Sequence, residues 1–207
     1  MAIDISTQAM RLITPDGAVI EGSDTLQGTW TVEQYVRLTD HAGRLIEFTD
    51  GELELLPMPT DKHQAISKFL LLLLNAFLDP RGGTVLYSPL RLHIREGKFR
   101  EPDLMLLLDA NDARRQNAYW LGADMVIEIV SADDPQRDTI VKRADYAEGH
   151  VPEYWIVNPT DETVTVLILS DDGARYAEER VFRRGEAATS ALLPDFSVQV
   201  SAIFDAR

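Results

Sequence analysis

Met125-Val126-Ile127-Glu128-Ile129-Val130 is an apolar run with one carboxylate inside it, bounded by Asp124 and by Ser131-Ala132-Asp133-Asp134-Pro135. A short, β-branched apolar run between turn signals reads as a strand buried on both faces. An ionised glutamate is out of place there without a partner, because removing a charge from water costs on the order of several kcal/mol. Glu128 is therefore either a paired structural acid or one wall of a site, and its company in the chain decides which.

Two neighbouring stretches supply company. Upstream, Glu101-Pro102-Asp103 precedes Leu104-Met105-Leu106-Leu107-Leu108, a second strand without polar alternation. Proline fits the first residue of a strand, where its missing N–H costs little, and it leaves Asp103 at the strand's mouth. Downstream, Asp134-Pro135 is an N-cap and first-turn pair, and residues 136–148 have helical spacing ended by Gly149. Asp138, Lys142 and Tyr146 stand four apart on one face of that helix. On an isolated helix the pair would be a surface ion pair worth about 0.3–0.5 kcal/mol.

If the Asp103 and Glu128 strands are neighbours, their carboxylates converge. Two carboxylates that close repel, and one takes a proton unless a cation lies between them. Oxygen ligands of this kind suit Mg²⁺ or Mn²⁺, and such an ion beside a lysine is the equipment of phosphodiester hydrolysis.

The rest of the chain frames these stretches. Residues 1–28 show no sustained period, carry a turn signal at Pro15-Asp16-Gly17 and read as an arm; residues 29–207 read as one domain. Thr31 and Gln34 form a capping-box pattern for a short helix through Leu38. Residues 45–55 form a hairpin about Asp50-Gly51, with Ile46 and Phe48 on one face and with Glu52 and Glu54 opposite Leu53 and Leu55 on the second arm. Asp61 reads as the cap of a largely buried helix whose stripe is Ile66, Phe69, Leu70, Leu73 and Phe77, with His63 in its first turn. Strands follow at 84–87 and 90–94, then at 151–157, a hairpin joins 163–169 to 175–182, and residues 197–203 close with a strand. Arg91, His93, Arg95, Lys98 and Arg100 form the locally basic stretch, read as a solvated strand face or a phosphate-facing patch, with Arg114 and Arg115 as further phosphate contacts.

A net charge of −14 disfavours loose, non-specific binding to nucleic acid, which draws on a basic surface, but leaves room for a bound divalent cation. The chain has no cysteine, which excludes disulfides and thiolate metal sites and fits a cytoplasmic setting. No run is long and apolar enough to span a bilayer, and the N-terminus has no secretory pattern.

Pro102-Asp103 followed by Glu128-Ile129-Val130 resembles the PD-(D/E)XK nuclease signature, with Val130 where the strand lysine usually stands. The wider ordered set adds Asp50-Gly51-Glu52, His63, Ser131, Asp138, Lys142, Tyr146 and Glu153-Tyr154-Trp155-Ile156-Val157. That set, over about residues 30–200, resembles the Uma2 family of putative restriction endonucleases. The resemblance implies an α/β, mixed α+β fold: a restriction-endonuclease-like core of mixed β-sheet flanked by helices, with an additional N-terminal hairpin and C-terminal strands. It implies a Mg²⁺- or Mn²⁺-dependent endonuclease acting on DNA. Asp103, Glu128 and the Val130 carbonyl would hold the metal, and Lys142, from the following helix, would replace the strand lysine. Glu52 and His63 would complete the site, with Asp138 and Tyr146 in support. One site per chain against two DNA strands suggests a homodimer. The competing reading, motivated by the charge and by Val130, is a binding or interaction module on a nuclease scaffold with little or no catalysis.

Overall fold

A computed structural model describes residues 27–207, together with the backbone of two short paired strands, β1 (Leu12–Ile13) and β2 (Val19–Ile20). The turn expected at residues 15–17 lies outside the described residues.

A six-stranded sheet organises the molecule. Its strands are β5 (Thr84–Tyr87), β8 (Leu104–Leu107), β9 (Met125–Ile129), β10 (Glu153–Asn158), β11 (Thr163–Leu169) and β12 (Tyr176–Arg183). The spatial order is β12-β11-β10-β9-β8-β5, with β9 and β10 parallel and the other neighbours antiparallel, so the sheet is mixed. β8 and β9 are buried at every position, as their unbroken apolar sequences require.

The alternation of side chains on β9 feeds two cores. Ile127 and Ile129 point into the one under α2 (Asp61–Leu78), where Ile66, Leu70, Leu74 and Leu78 form the buried stripe. The stripe runs strictly every fourth residue, displaced from the expected one, and Leu72 is 64% exposed. Thr60 rather than Asp61 caps this helix, its hydroxyl accepting from the His63 N–H at 3.2 Å. α4 (Val200–Phe204) joins the same layer; it replaces most of the strand expected at 197–203, of which β14 (Ser197–Gln199) remains, paired with β13 (Ala187–Thr189). The cause is that Val200, Ile203 and Phe204 bury together at helical spacing against this core.

On the other face Val126 and Val130 pack with Tyr146, Tyr154 and Ile156, beneath α3 (Lys142–Glu148) and a second sheet. That sheet has the order β4-β3-β7-β6, from β3 (Ile46–Thr49), β4 (Glu52–Leu55), β6 (Leu92–Arg95) and β7 (Lys98–Arg100). The β3–β4 turn forms at Asp50 (φ 48°) and Gly51 (φ 89°), the positive-φ pair a two-residue hairpin turn needs. α1 (Val32–Thr39) starts with the expected capping box and closes a small aromatic core of Tyr35, Phe48 and Phe99.

The basic stretch at 91–100 is an intramolecular ion-pair system: Arg91, Lys98 and Arg100 are buried, and of its arginines and lysine Arg95 alone stays half-exposed on the solvated face expected of the stretch. Arg91 pairs with Asp40, Arg95 with Asp50 and Glu148, Lys98 with Asp145 and Glu148, and Arg100 with Asp145. Arg114 is likewise taken by Asp112 and Asp124. The acids that pair the 91–100 stretch come from distant segments, which is why the local sequence reads as a basic patch.

Candidate active site

Asp103 and Glu128 stand opposite one another. The antiparallel register pairs Leu104 with Ile127, so the preceding residue of β8 faces the next residue of β9. Asp103 prolongs the ladder with its side chain: its Oδ2 accepts the Ile129 N–H at 2.7 Å and lies 3.1 Å from His63 Nε2. His63 is placed there by the first turn of α2. Burial pulls its imidazole down, but the hydrogen bond and charge of Asp103, with Asp138 behind, more than offset this and leave its pKa above the usual value.

Glu128 is buried, and its Oε1 accepts from Lys142 Nζ at 2.8 Å and from the Tyr146 hydroxyl. Lys142 Nζ also lies 3.2 Å from Asp138 Oδ1. The spacing that brings Asp138, Lys142 and Tyr146 together depends on a feature the periodicity does not show. Residues Arg137–Val141 form a π-helical turn that runs into α3. Four residues overshoot one α-turn by about 40°. The wider π-turn undershoots instead, so the two steps, 138 to 142 and 142 to 146, compensate and all three side chains reach the interior. Tyr154 accompanies them and donates its hydroxyl to the Asp138 carbonyl at 2.8 Å.

Glu47 is the residue the sequence reading missed. It lies between Ile46 and Phe48 on β3 and is 0% exposed. Its Oε2 accepts from Arg137 Nη2 at 2.5 Å, its Oε1 accepts from the Glu101 N–H at 3.2 Å, and Lys142 Nζ is 3.7 Å away. Burial pushes this carboxyl up, but Lys142, Arg100 and Arg137 together hold its pKa below the usual value. The signal was present: Glu47 lies between Ile46 and Phe48 in the same apolar-run-with-one-acid pattern that singled out Glu128. Glu52 is exposed at the start of β4, outside this cluster.

Electrostatically the cluster is unbalanced. Asp103, Glu128, Asp138 and Glu47 face Lys142, Arg137 and an Arg100 that is shared with Asp145, so acid exceeds base when His63 is neutral. The molecule registers the excess: burial, with Asp103 and Asp138 nearby, pushes Glu128 up to about 8 despite Lys142, and burial raises Asp138 as well. Lys142 is held firmly as ammonium by Glu128, Glu47 and Asp138, against the cost of its burial.

The donors present fit a hard divalent cation. They are carboxylate oxygens and one backbone carbonyl. In the parallel β9–β10 ladder the Val130 N–H donates to the Val157 carbonyl at 2.8 Å, so the next donor, to the Val130 carbonyl, would be the N–H of residue 159. That residue is Pro159, which has none. Among the described residues no group of three or more His, Asp or Glu side chains converges to hold a metal ion, so the set rests on two carboxylates and that free carbonyl. Asp103, Glu128, Val130, His63, Asp138 and Lys142 line a cleft of about 590 Å³ that also meets Pro159.

A mixed sheet with an aspartate and a glutamate at facing strand positions, a helix-borne lysine and flanking helices is the architecture of a restriction-endonuclease-like nuclease fold. A crystal structure of a "putative nuclease belonging to DUF820" from Anabaena variabilis ATCC 29413 is similar to this chain, with a TM-score of 0.69 at 20% identity, covering 84% of this chain and 97% of that one. Among curated proteins none matches. The chain belongs to the Uma2 family, described as "Putative restriction endonuclease", whose model matches residues 32–201. Among the described residues no helix is long and apolar enough to cross a membrane.

Proposed function

We propose that this protein is a divalent-metal-dependent endonuclease that hydrolyses phosphodiester bonds in DNA. The observation that carries the reading is the facing pair Asp103 and Glu128 on the floor of an open cleft, with Lys142 Nζ 2.8 Å from Glu128. Asp103, Glu128 and the Val130 carbonyl would hold Mg²⁺ or Mn²⁺. When bound, the ion would polarise a phosphoryl oxygen and acidify an attacking water. His63 holds the Asp103 carboxylate in place through Nε2. Tyr146 and Lys142 fix Glu128 from the far side, leaving Oε2 toward Asp103, whose N–H is 3.4 Å away. The Lys142 ammonium, permanently charged, counters negative charge that develops on the phosphate and orients the attacking water. Asp138 and Glu47 restrain Lys142 without touching substrate.

A second reading, a binding module with little catalysis, draws on one observation: Glu128 Oε1 is already shared by Lys142 and Tyr146. Calorimetric titration of Mn²⁺ into wild type and Glu128→Ala, with plasmid nicking on the same samples, separates the two. The nuclease reading expects binding and nicking in wild type and neither in the variant. Folded Glu128→Ala protein that nicks as wild type does would overturn it. Metal binding without nicking would favour the module.

A further inference from the structure

We propose that the cleft accepts single-stranded or locally unpaired DNA, one unstacked nucleotide at a time, and that Tyr87 and Met58 form its base-stacking walls. The inference rests on the nuclease reading and names the form of its substrate.

Three observations converge on it. The first is what flanks the carboxylates. Tyr87 ends β5 beside the site, since the following Ser88 N–H donates to the Asp103 carbonyl at 3.2 Å. Its ring is 55% exposed and lines the cleft. The segment that joins β4 to α2, Leu56-Pro57-Met58-Pro59, also lines the cleft and adds an apolar stretch, with Met58 73% exposed. Large exposed apolar groups beside a charged floor are costly in water and suit the flat face of a base, which every nucleotide has and a duplex hides.

The second is where the free positive charge lies. A duplex is gripped through its phosphates by rows of Lys and Arg. Here the arginines and lysine at 91–100, and Arg114, are paired with carboxylates of the same chain. Of the cleft's cations, Arg44 and Lys62 have no carboxylate partner among the described residues; Lys62 Nζ meets the main-chain carbonyls of Phe204 and Ala206. Two such cations on the cleft lining match the phosphates on either side of one nucleotide better than a tracked double helix.

The third is size. A volume of about 590 Å³ falls inside the range of about 300–1,000 Å³ typical of clefts that enclose one small molecule. That is room for one residue of a strand.

The test uses the full chain and three labelled DNAs of one sequence: a single strand, a blunt duplex, and the duplex with one unpaired nucleotide. Binding is read by fluorescence anisotropy with EDTA and cleavage on denaturing gels with Mn²⁺. The single strand and the bulged duplex should bind at least tenfold more tightly than the blunt duplex, with cleavage confined to them and, in the bulged duplex, placed at the unpaired nucleotide. Tyr87→Ala should weaken single-strand binding about fivefold or more, the loss of one stacked base, and Tyr87→Phe should restore it. Tyr87 is exposed, so neither variant threatens the fold. Equal or tighter binding and cleavage of the blunt duplex would overturn the proposal and leave the nuclease reading standing. Selective, Tyr87-dependent binding with no cleavage would support the proposal and sink hydrolysis. Neither binding nor cleavage of any of the three would sink both.

Discussion

Glu47→Gln tests whether a buried acid on the second sheet holds the lysine and arginine of the helical segment that follows β9. The substitution keeps shape and an oxygen able to accept from the Glu101 N–H, but removes the charge. Arg137 Nη2 at 2.5 Å and Lys142 Nζ at 3.7 Å then face a neutral amide. Breaking a buried ion pair outright costs about 3–5 kcal/mol. Lys142 retains Glu128 and Asp138, and Arg137 retains Glu54, so the lower range for a hydrogen bond to a charged group applies, about 2–3 kcal/mol. For a chain of this size that is a fall in Tm of about 4–12 °C. The sign with pH is fixed by the depressed Glu47 pKa. A carboxyl held below its ordinary 4.5 contributes stability that is complete above that value and is lost as pH falls through the folded value. Urea unfolding of wild type and variant should therefore give the full difference at neutral pH and a shrinking one in acid, below about 4.5. Glu52→Gln, on the exposed arm of the same hairpin, should stay within about 0.5 kcal/mol of wild type. A Glu47→Gln protein as stable as wild type at neutral pH, or a difference that persists undiminished in acid, would refute the argument.

Glu128→Gln should change how metal-free stability depends on pH. A carboxyl raised to about 8 favours the fold while protonated, so wild type loses stability as pH climbs from about 4.5 toward 8. The variant should show a flatter profile there, and saturating Mn²⁺ should restore wild type alone; parallel profiles would count against a charge-strained site. Pro159→Ala supplies an N–H opposite the Val130 carbonyl, and closing that ladder bond should weaken Mn²⁺ binding about three- to tenfold by calorimetry without loss of stability. Unchanged affinity would remove Val130 from the ligand set. Thr60→Ala deletes the N-cap of α2 and should cost about 1 kcal/mol in urea unfolding, whereas Asp61→Ala should cost less; the reverse order would contradict the observed cap.

Much of the architecture was legible because its signals are local. The β8 and β9 runs, the Asp50-Gly51 turn and the Thr31–Gln34 capping box each specify their element from adjacent residues. Asp103, Glu128, Lys142 and Asp138 were found by order along the chain, and the sheet register then brings them together. What escaped is non-local. Glu47 looks like an outer hairpin residue until α3 and Arg137 arrive from about ninety positions further on. Arg100 and Lys98 look like a basic surface until Asp145 covers them. The π-turn was invisible because residues 136–148 satisfy a helical pattern in either winding.

The helix-borne lysine explains why so many acids are needed. Val130, two residues beyond Glu128 and on the same face of β9, is buried against Val126 and Tyr146, so the strand position itself packs the core. A lysine arriving instead from α3 is wholly enclosed and must be kept charged there. One carboxylate would leave it marginal against the desolvation of both partners. Glu128, Asp138 and Glu47 surround it, and their combined field keeps the ammonium protonated. The same arrangement overshoots, because Asp103 adds a fourth acid whose ionisable contact is His63 and not a lysine or arginine. The uncompensated charge sits at the Asp103–Glu128 end of the cluster, beside the carbonyl that Pro159 leaves open. Oxygen donors that share this excess of acid and open to a cleft suit the divalent cation proposed for them. The acids that fix the lysine and the acids that would bind the metal are thus parts of one charge balance, which is why Glu47, far from any substrate, should matter to both stability and metal affinity.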